Sequence, residues 1–173
     1  YDFSRVYVPI EGELTSKKWL AALREGRSYI TNGPLLEFDV AGHSPGDTIQ
    51  LAEPKTLTIT ASALGRCDFV GLELIHNGEV VHARDSRAEA GHHRAELKFD
   101  LPVNEPGWVA LRIPLEAGTN EFDKPLFAHT SPVYLHLAGK QIFRADVAEK
   151  LIAEMQANLE IIAAKGTFAS DGE

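Results

Sequence analysis

From Leu35 onward the chain alternates apolar and polar residues with a period of two. Leu36, Phe38 and Val40 interleave with Glu37 and Asp39, and Leu57, Ile59, Ala61 and Ala63 interleave with Thr58, Thr60 and Ser62. Side chains on a strand point to opposite faces in turn, so this pattern predicts strands with one buried face. Val70, Leu72 and Leu74 continue it and run into Asn77-Gly78, a dipeptide suited to a two-residue hairpin turn because both residues tolerate positive φ. Glu79 to Arg84 read as the return strand. Leu97 to Leu101, Val109 to Ile113 and Val133 to Leu137 supply three more alternating runs. Seven or eight short strands parted by Gly, Pro and Asn turns predict a mainly β fold, an antiparallel β-sandwich of immunoglobulin-like type.

The two ends follow a helical period. Near the start, Arg5 to Pro9 read as a short strand and Thr15 as the N-cap of a helix. Trp19, Leu20 and Leu23 form that helix's apolar stripe, Gly26 ends it, and Ser28 to Thr31 extend into Asn32-Gly33-Pro34. At the other end, Ala148, Leu151, Ile152, Met155, Leu159 and Ile162 share one face of a long helix. Asp146 with Glu149 suggests a capping box, and Lys165-Gly166 a stop. The expected organisation is a strand–helix–strand unit over 1–34, a sandwich over 35–140 and a C-terminal helix over 141–173 packed on protein. A start at Tyr1-Asp2-Phe3, inside what reads as a strand, leads to the expectation that Tyr1 is a cut rather than a natural beginning.

Charge narrows the function classes. Seventeen Lys and Arg against 25 Asp and Glu give a net charge of −8, and no basic stripe suited to nucleic acid is present. No run of apolar residues is long enough for a membrane span. The lone Cys67 has no intrachain disulfide partner and leaves the compartment open.

The seven histidines contain no His-x-His or His-Glu-x-x-His spacing. His76 and His82 flank the Asn77-Gly78 turn. A regular two-residue hairpin pairs His76 with Glu79 and His82 with Glu73, which places the two imidazoles on opposite faces and rules out a metal clip. His92-His93 fall in a polar stretch, Ala88 to Arg94, read as a loop. His43 reads as a turn residue and His136 as a surface one. No metal ligand set is therefore assigned to this chain; a self-contained metalloenzyme would need His43, His92, His93 and His129 to converge with nearby acids. The two segments with the greatest functional content are Thr31-Asn32-Gly33-Pro34 and Phe127-Ala128-His129-Thr130-Ser131-Pro132, loops rich in hydroxyl, amide and imidazole groups. Such groups also serve to cap strands and satisfy backbone atoms locally. Trp108, which alternates with inward Val109, is the candidate aromatic binding platform.

The stretch Trp19-Leu20-Ala21-Ala22-Leu23-Arg24-Glu25-Gly26-Arg27-Ser28-Tyr29-Ile30-Thr31-Asn32-Gly33-Pro34-Leu35-Leu36 resembles the segment that follows the metal-binding barrel in hydrolases of the polymerase-and-histidinol-phosphatase (PHP) superfamily, in its CehA/McbA-like branch. Gly42-His43-Ser44-Pro45-Gly46, Leu74-Ile75-His76-Asn77-Gly78 and Ala128-His129-Thr130-Ser131-Pro132-Val133-Tyr134 resemble later segments of the same branch. The resemblance implies a parent metal-dependent hydrolase whose divalent metal sits in an upstream barrel. It further implies that this chain is a non-catalytic accessory domain with Thr31, Asn32, Gly33, Pro34, His129 and Thr130 as the residues that could face the barrel. The expected partners are that barrel, or a second copy of the chain through Trp19, Leu20 and Leu23. The competing reading is an independent carbohydrate- or protein-binding sandwich module.

Overall fold

The computed structural model describes residues 4–114 and 116–166. It is mainly β, with two sheets and a C-terminal helix. Among these residues, those up to Ile142 form one compact unit and those from Phe143 onward a second.

The smaller sheet has four strands. β3 (Leu35–Val40), β5 (Lys55–Gly65), β9 (His92–Val103) and β8 (Arg87–Glu89) follow one another in the order β3-β5-β9-β8, all antiparallel. β5 and β9 pair over eleven positions, Lys55 with Val103 to Gly65 with His93. The larger sheet has eight strands: β1 (Arg5–Tyr7), β2 (Tyr29–Thr31), β4 (Thr48–Leu51), β6 (Gly71–His76), β7 (Glu79–Asp85), β10 (Gly107–Arg112), β11 (Ala128–Thr130) and β12 (Val133–Leu137). β10 is its hub. β6 lies along one edge of β10, while β11 and β12, parted by Ser131-Pro132, share the other. The alternating residues of both sheets meet in one core, in which Val40, Ile59, Leu72, Leu74, Val103, Val109, Leu111, Val133 and Leu135 are fully buried.

The pairing departs from the expected scheme in four places. β4 runs parallel to β12, Thr48 beside Tyr134 and Leu51 beside Leu137, so the sandwich is not wholly antiparallel. The chain leaves β3 in one sheet, turns through Ala41 to Asp47, and enters the other as β4. Ala88 to Arg94 is not a loop: Ala90 and Gly91, both at positive φ, close a hairpin between β8 and β9, with Glu89 opposite His92 and Ala88 opposite His93. The β6–β7 hairpin turns at Asn77-Gly78 as expected, but a bulge between Leu74 and Ile75 shifts its register, so His82 faces Leu74 rather than Glu73. Finally, β1 and β2 pair antiparallel with each other, and β2 continues into β11 of the large sheet. The division drawn at 34/35 thus passes between hydrogen-bonded neighbours inside one compact unit.

Helix α1 (Ser16–Arg24) starts where Thr15 accepts a hydrogen bond from the Lys18 amide at 3.3 Å. It ends in a Schellman arrangement: Gly26, at φ 73°, donates to the Leu23 carbonyl and Arg27 donates to that of Ala22. A second glycine is required beside it. A Cβ on Gly46 would run into the Glu25 carbonyl and the Gly26 backbone, so Gly46 lets the loop after β3 lie directly on the helix end.

The second unit holds α2 (Ala145–Lys165). Its expected capping box is absent. Arg144 is the N-cap and makes no side-chain cap bond; instead its guanidinium pairs with Asp146 at 3.1 and 2.9 Å. Asp146 then acts by its charge in the first turn, where it complements the helix dipole. No helix among the described residues is long and apolar enough to cross a membrane.

Candidate functional site

The two polar loops singled out in the sequence lie ninety-odd residues apart and meet in the structure. β2 and β11 pair Tyr29 with Thr130, Ile30 with His129 and Thr31 with Ala128. Beyond the strands the Asn32 amide clamps the opposite chain: its Nδ2 donates to the Pro125 carbonyl at 2.7 Å and its Oδ1 accepts from the Phe127 amide at 2.9 Å. The buried Thr31 hydroxyl donates to the Pro34 carbonyl at 2.7 Å and accepts from the Gly33 amide at 3.0 Å, which closes the Thr31-to-Pro34 turn. Asn120, also buried, completes the junction by accepting from the Phe122 and Lys124 amides and donating to the Asn32 carbonyl. Thr130 is buried on the inner side and takes the Leu111 amide at 3.0 Å. The side-chain polar atoms of Thr31, Asn32 and Thr130 are therefore engaged within the fold. Gly33 is exposed, with its would-be Cβ position against Leu126. His129 alone of the loop candidates presents an exposed polar side chain.

His129 opens onto a groove on the outer face of the large sheet. Register fixes which residues share that face. Arg112 lies between Glu73 on β6 and His129 on β11; Ala110 lies beside Ile75; and Trp108 lies beside Tyr134 on β12. The open space between them, about 380 Å³, is lined by Ile75, Trp108, Ala110, Arg112, His129 and Tyr134, together with Leu111, Thr130 and Pro132. Its walls are chemically unlike. Trp108 and Tyr134 stand at one end, and Arg112 and His129 at the other, with the small Ala110 between them. Arg112 is fixed by its Nε hydrogen bond to Glu73 at 2.6 Å, in a pair whose carboxylate is largely covered. Trp108 was legible as an outward aromatic from its alternation with Val109, and His129 as a polar loop residue; that Ile75, His129 and Tyr134 join Trp108 on one face was not, because they arrive from three other strands.

The remaining histidines sort by environment. The bulge in β7 changes the argument about His76 and His82: since His82 pairs with Leu74, which shares a face with His76, both imidazoles lie on the inner side of the hairpin. His82 stacks on Phe99 of the opposite sheet, with ring centroids 4.9 Å apart. The Nε2 atoms of both histidines are buried with no hydrogen-bond partner among the described residues. Burial holds both pKa values below the usual imidazole value. Asn77 occupies the hairpin mouth, and its Oδ1 accepts from the Trp108 amide at 2.9 Å. His92 and His93 are neighbours on β9 and so point to opposite faces. His93 lies 3.7 Å from Asp68, whose carboxylate accepts from the Ser86 hydroxyl at 2.5 Å and from the Val70 amide. Those bonds, the Ser86 bond foremost, hold the Asp68 pKa below the usual carboxylate value. The cluster is not a nucleophilic triad, because Ser86 is bonded to the acid and not to the imidazole. His43 sits 3.8 Å from Asp47 in its turn, and His136 bonds Gln50 on the sheet surface. Cys67 lies 3.8 Å from the Glu121 carboxylate, with Arg66 on the same carboxylate. Among the described residues no three His, Cys, Asp or Glu side chains converge as a metal site would require.

Compared with known proteins, the chain matches no family model, no curated protein and no solved structure.

Proposed function

We propose that this chain is an accessory β-sandwich that braces the catalytic barrel of a metal-dependent hydrolase of PHP type. The carrying observation is the junction of Thr31-to-Pro34 with Pro125-to-Thr130. Two of the segments that resemble the hydrolase branch are distant in sequence, yet they pair in the β2–β11 ladder, and Asn32 ties the chain just ahead of β11, with Asn120, to the same turn. A strand–helix–strand unit tied so firmly to the sandwich suits a rigid coupling between this domain and whatever precedes it. Residues on that unit favour a protein neighbour: Val6, Tyr7, Leu14 and Leu20 are large apolar side chains left exposed, and α1 buries none of its residues. The divalent metal that such a hydrolase uses to generate a hydroxide nucleophile belongs to the barrel, and no chemical step is assigned to this chain.

The test is to remove this segment from the barrel-bearing protein and to compare kcat/KM and Tm with those of the intact form. Loss of either is expected. Unchanged kinetics together with unchanged melting would refute the proposal.

A further inference from the structure

The outer-face groove shares only His129 and Thr130 with the motif junction and has no α1 residue in its lining, and its chemistry is specific enough to name a ligand class. Three features of the groove decide it. The first is the floor: Ile75 and Ala110 lie side by side on adjacent strands, and the small Ala110 leaves a depression between bulkier neighbours. The second is the aromatic end, where Trp108 and Tyr134 are register partners and so flank the same part of the floor. The third is the polar end. Arg112 and His129 are likewise register partners there, and among the described residues neither the Arg112 Nη atoms nor the His129 ring has a hydrogen-bond partner. Glu73 takes only the Nε edge of the guanidinium, which orients the planar fork and leaves its Nη end for another acceptor. Four residue steps along the strand lead from Trp108 to Arg112, roughly 13 Å at about 3.3 Å per step. With side chains reaching inward from both ends, that span suits a molecule of one or two rings.

We propose that this groove binds a small organic carboxylate with a flat apolar body, the body lying over Ala110 and Ile75 against Trp108 and Tyr134 and the carboxylate meeting the Arg112 Nη groups beside His129. A neutral apolar ligand would leave the oriented guanidinium unanswered, and a simple inorganic anion would leave the aromatic end empty. The volume, about 380 Å³, lies at the small end of ordinary ligand sites. The proposal does not depend on the accessory-domain reading, since every residue in it comes from this chain.

The experiment uses trans-cinnamate as probe, with its neutral amide as control, and ligand-observed NMR with a titration on the full chain. Cinnamate is expected to bind in the millimolar range or tighter, and the amide roughly tenfold more weakly because the charge-assisted pair is lost. Ala110→Leu, which fills the depression from a half-exposed position, should abolish binding while the β-sheet circular dichroism and melting stay as in the wild type. His129→Ala, at an exposed site, should weaken cinnamate and leave the residual amide binding unchanged. Absence of cinnamate binding by the folded wild-type chain overturns the proposal, as does equal binding of acid and amide, or binding that survives Ala110→Leu.

Discussion

Thr31 separates a structural from a substrate-facing role for the loop that carries the family resemblance. Its hydroxyl is buried and serves two backbone groups closely, donating to the Pro34 carbonyl at 2.7 Å and accepting from the Gly33 amide at 3.0 Å, with the Phe127 carbonyl a more distant acceptor at 3.4 Å. Thr31→Val keeps the β-branched shape and the strand propensity but removes both bonds. Each buried backbone group left without a partner costs about 1–3 kcal/mol. The Pro34 carbonyl is the more deeply placed of the two, and the Gly33 amide, on an exposed residue, recovers part of its loss from water. The expected total is therefore about 2–4 kcal/mol, a large fraction of the roughly 5–15 kcal/mol that holds a domain of this kind together. Thr31→Ser keeps the hydroxyl and loses only a methyl group, at about 1 kcal/mol. Equilibrium urea unfolding measures both, with stability read from the midpoint at an unchanged slope. A Val variant within about 0.5 kcal/mol of the wild type would refute the reasoning. So would a Ser variant as unstable as the Val variant, because the loss would then come from packing and not from the hydroxyl.

Further tests follow the same logic. His76 and His82 have folded pKa values below the ordinary 6.5, so the unfolded chain binds more protons than the folded one in mild acid. Their contribution to stability is complete above about pH 6.5 and is lost as pH falls from there toward the folded values; urea midpoints should drop across that window, and less so in a His76→Gln, His82→Gln double variant. Gly107→Ala would place a Cβ 2.5 Å from the Asn77 Oδ1 and displace the amide that holds the Trp108 backbone, costing about 1–3 kcal/mol by urea unfolding. Asn120→Ala removes acceptors for two amides and the bond to the Asn32 carbonyl; a fall in Tm with faster hydrogen exchange at Phe122 and Lys124 is expected. Sedimentation velocity over a concentration series should show self-association of the isolated chain that Leu20→Lys reduces, and a strictly monomeric wild type would count against the exposed α1 surface as an interface.

The parts of this protein written in its sequence are those governed by neighbours along the chain. Alternation at residues 36–40, 57–63, 97–101 and 133–137 predicted the long strands and their inner faces, because pleating forces every second side chain the same way. Thr15, Gly26 and Asn77-Gly78 announced a helix start, a helix end and a turn for equally local reasons. Short strands escaped notice: β4, β8 and β11 span three or four residues, too few to display a period, and exist because a partner strand offers hydrogen bonds. The bulge at Leu74–Ile75 turned His82 inward, a change no spacing argument registers, since a one-residue slip reverses the face. Thr31 and His129 were legible as polar loop residues of interest. That the first is committed to holding a turn, while the second opens onto a groove with Arg112, Trp108 and Tyr134, depends on β6, β11 and β12 lying alongside β10. Only the tertiary structure decides that arrangement, because strand order and register are settled by the burial of both sheets' inner faces at once and not by any local stretch of chain.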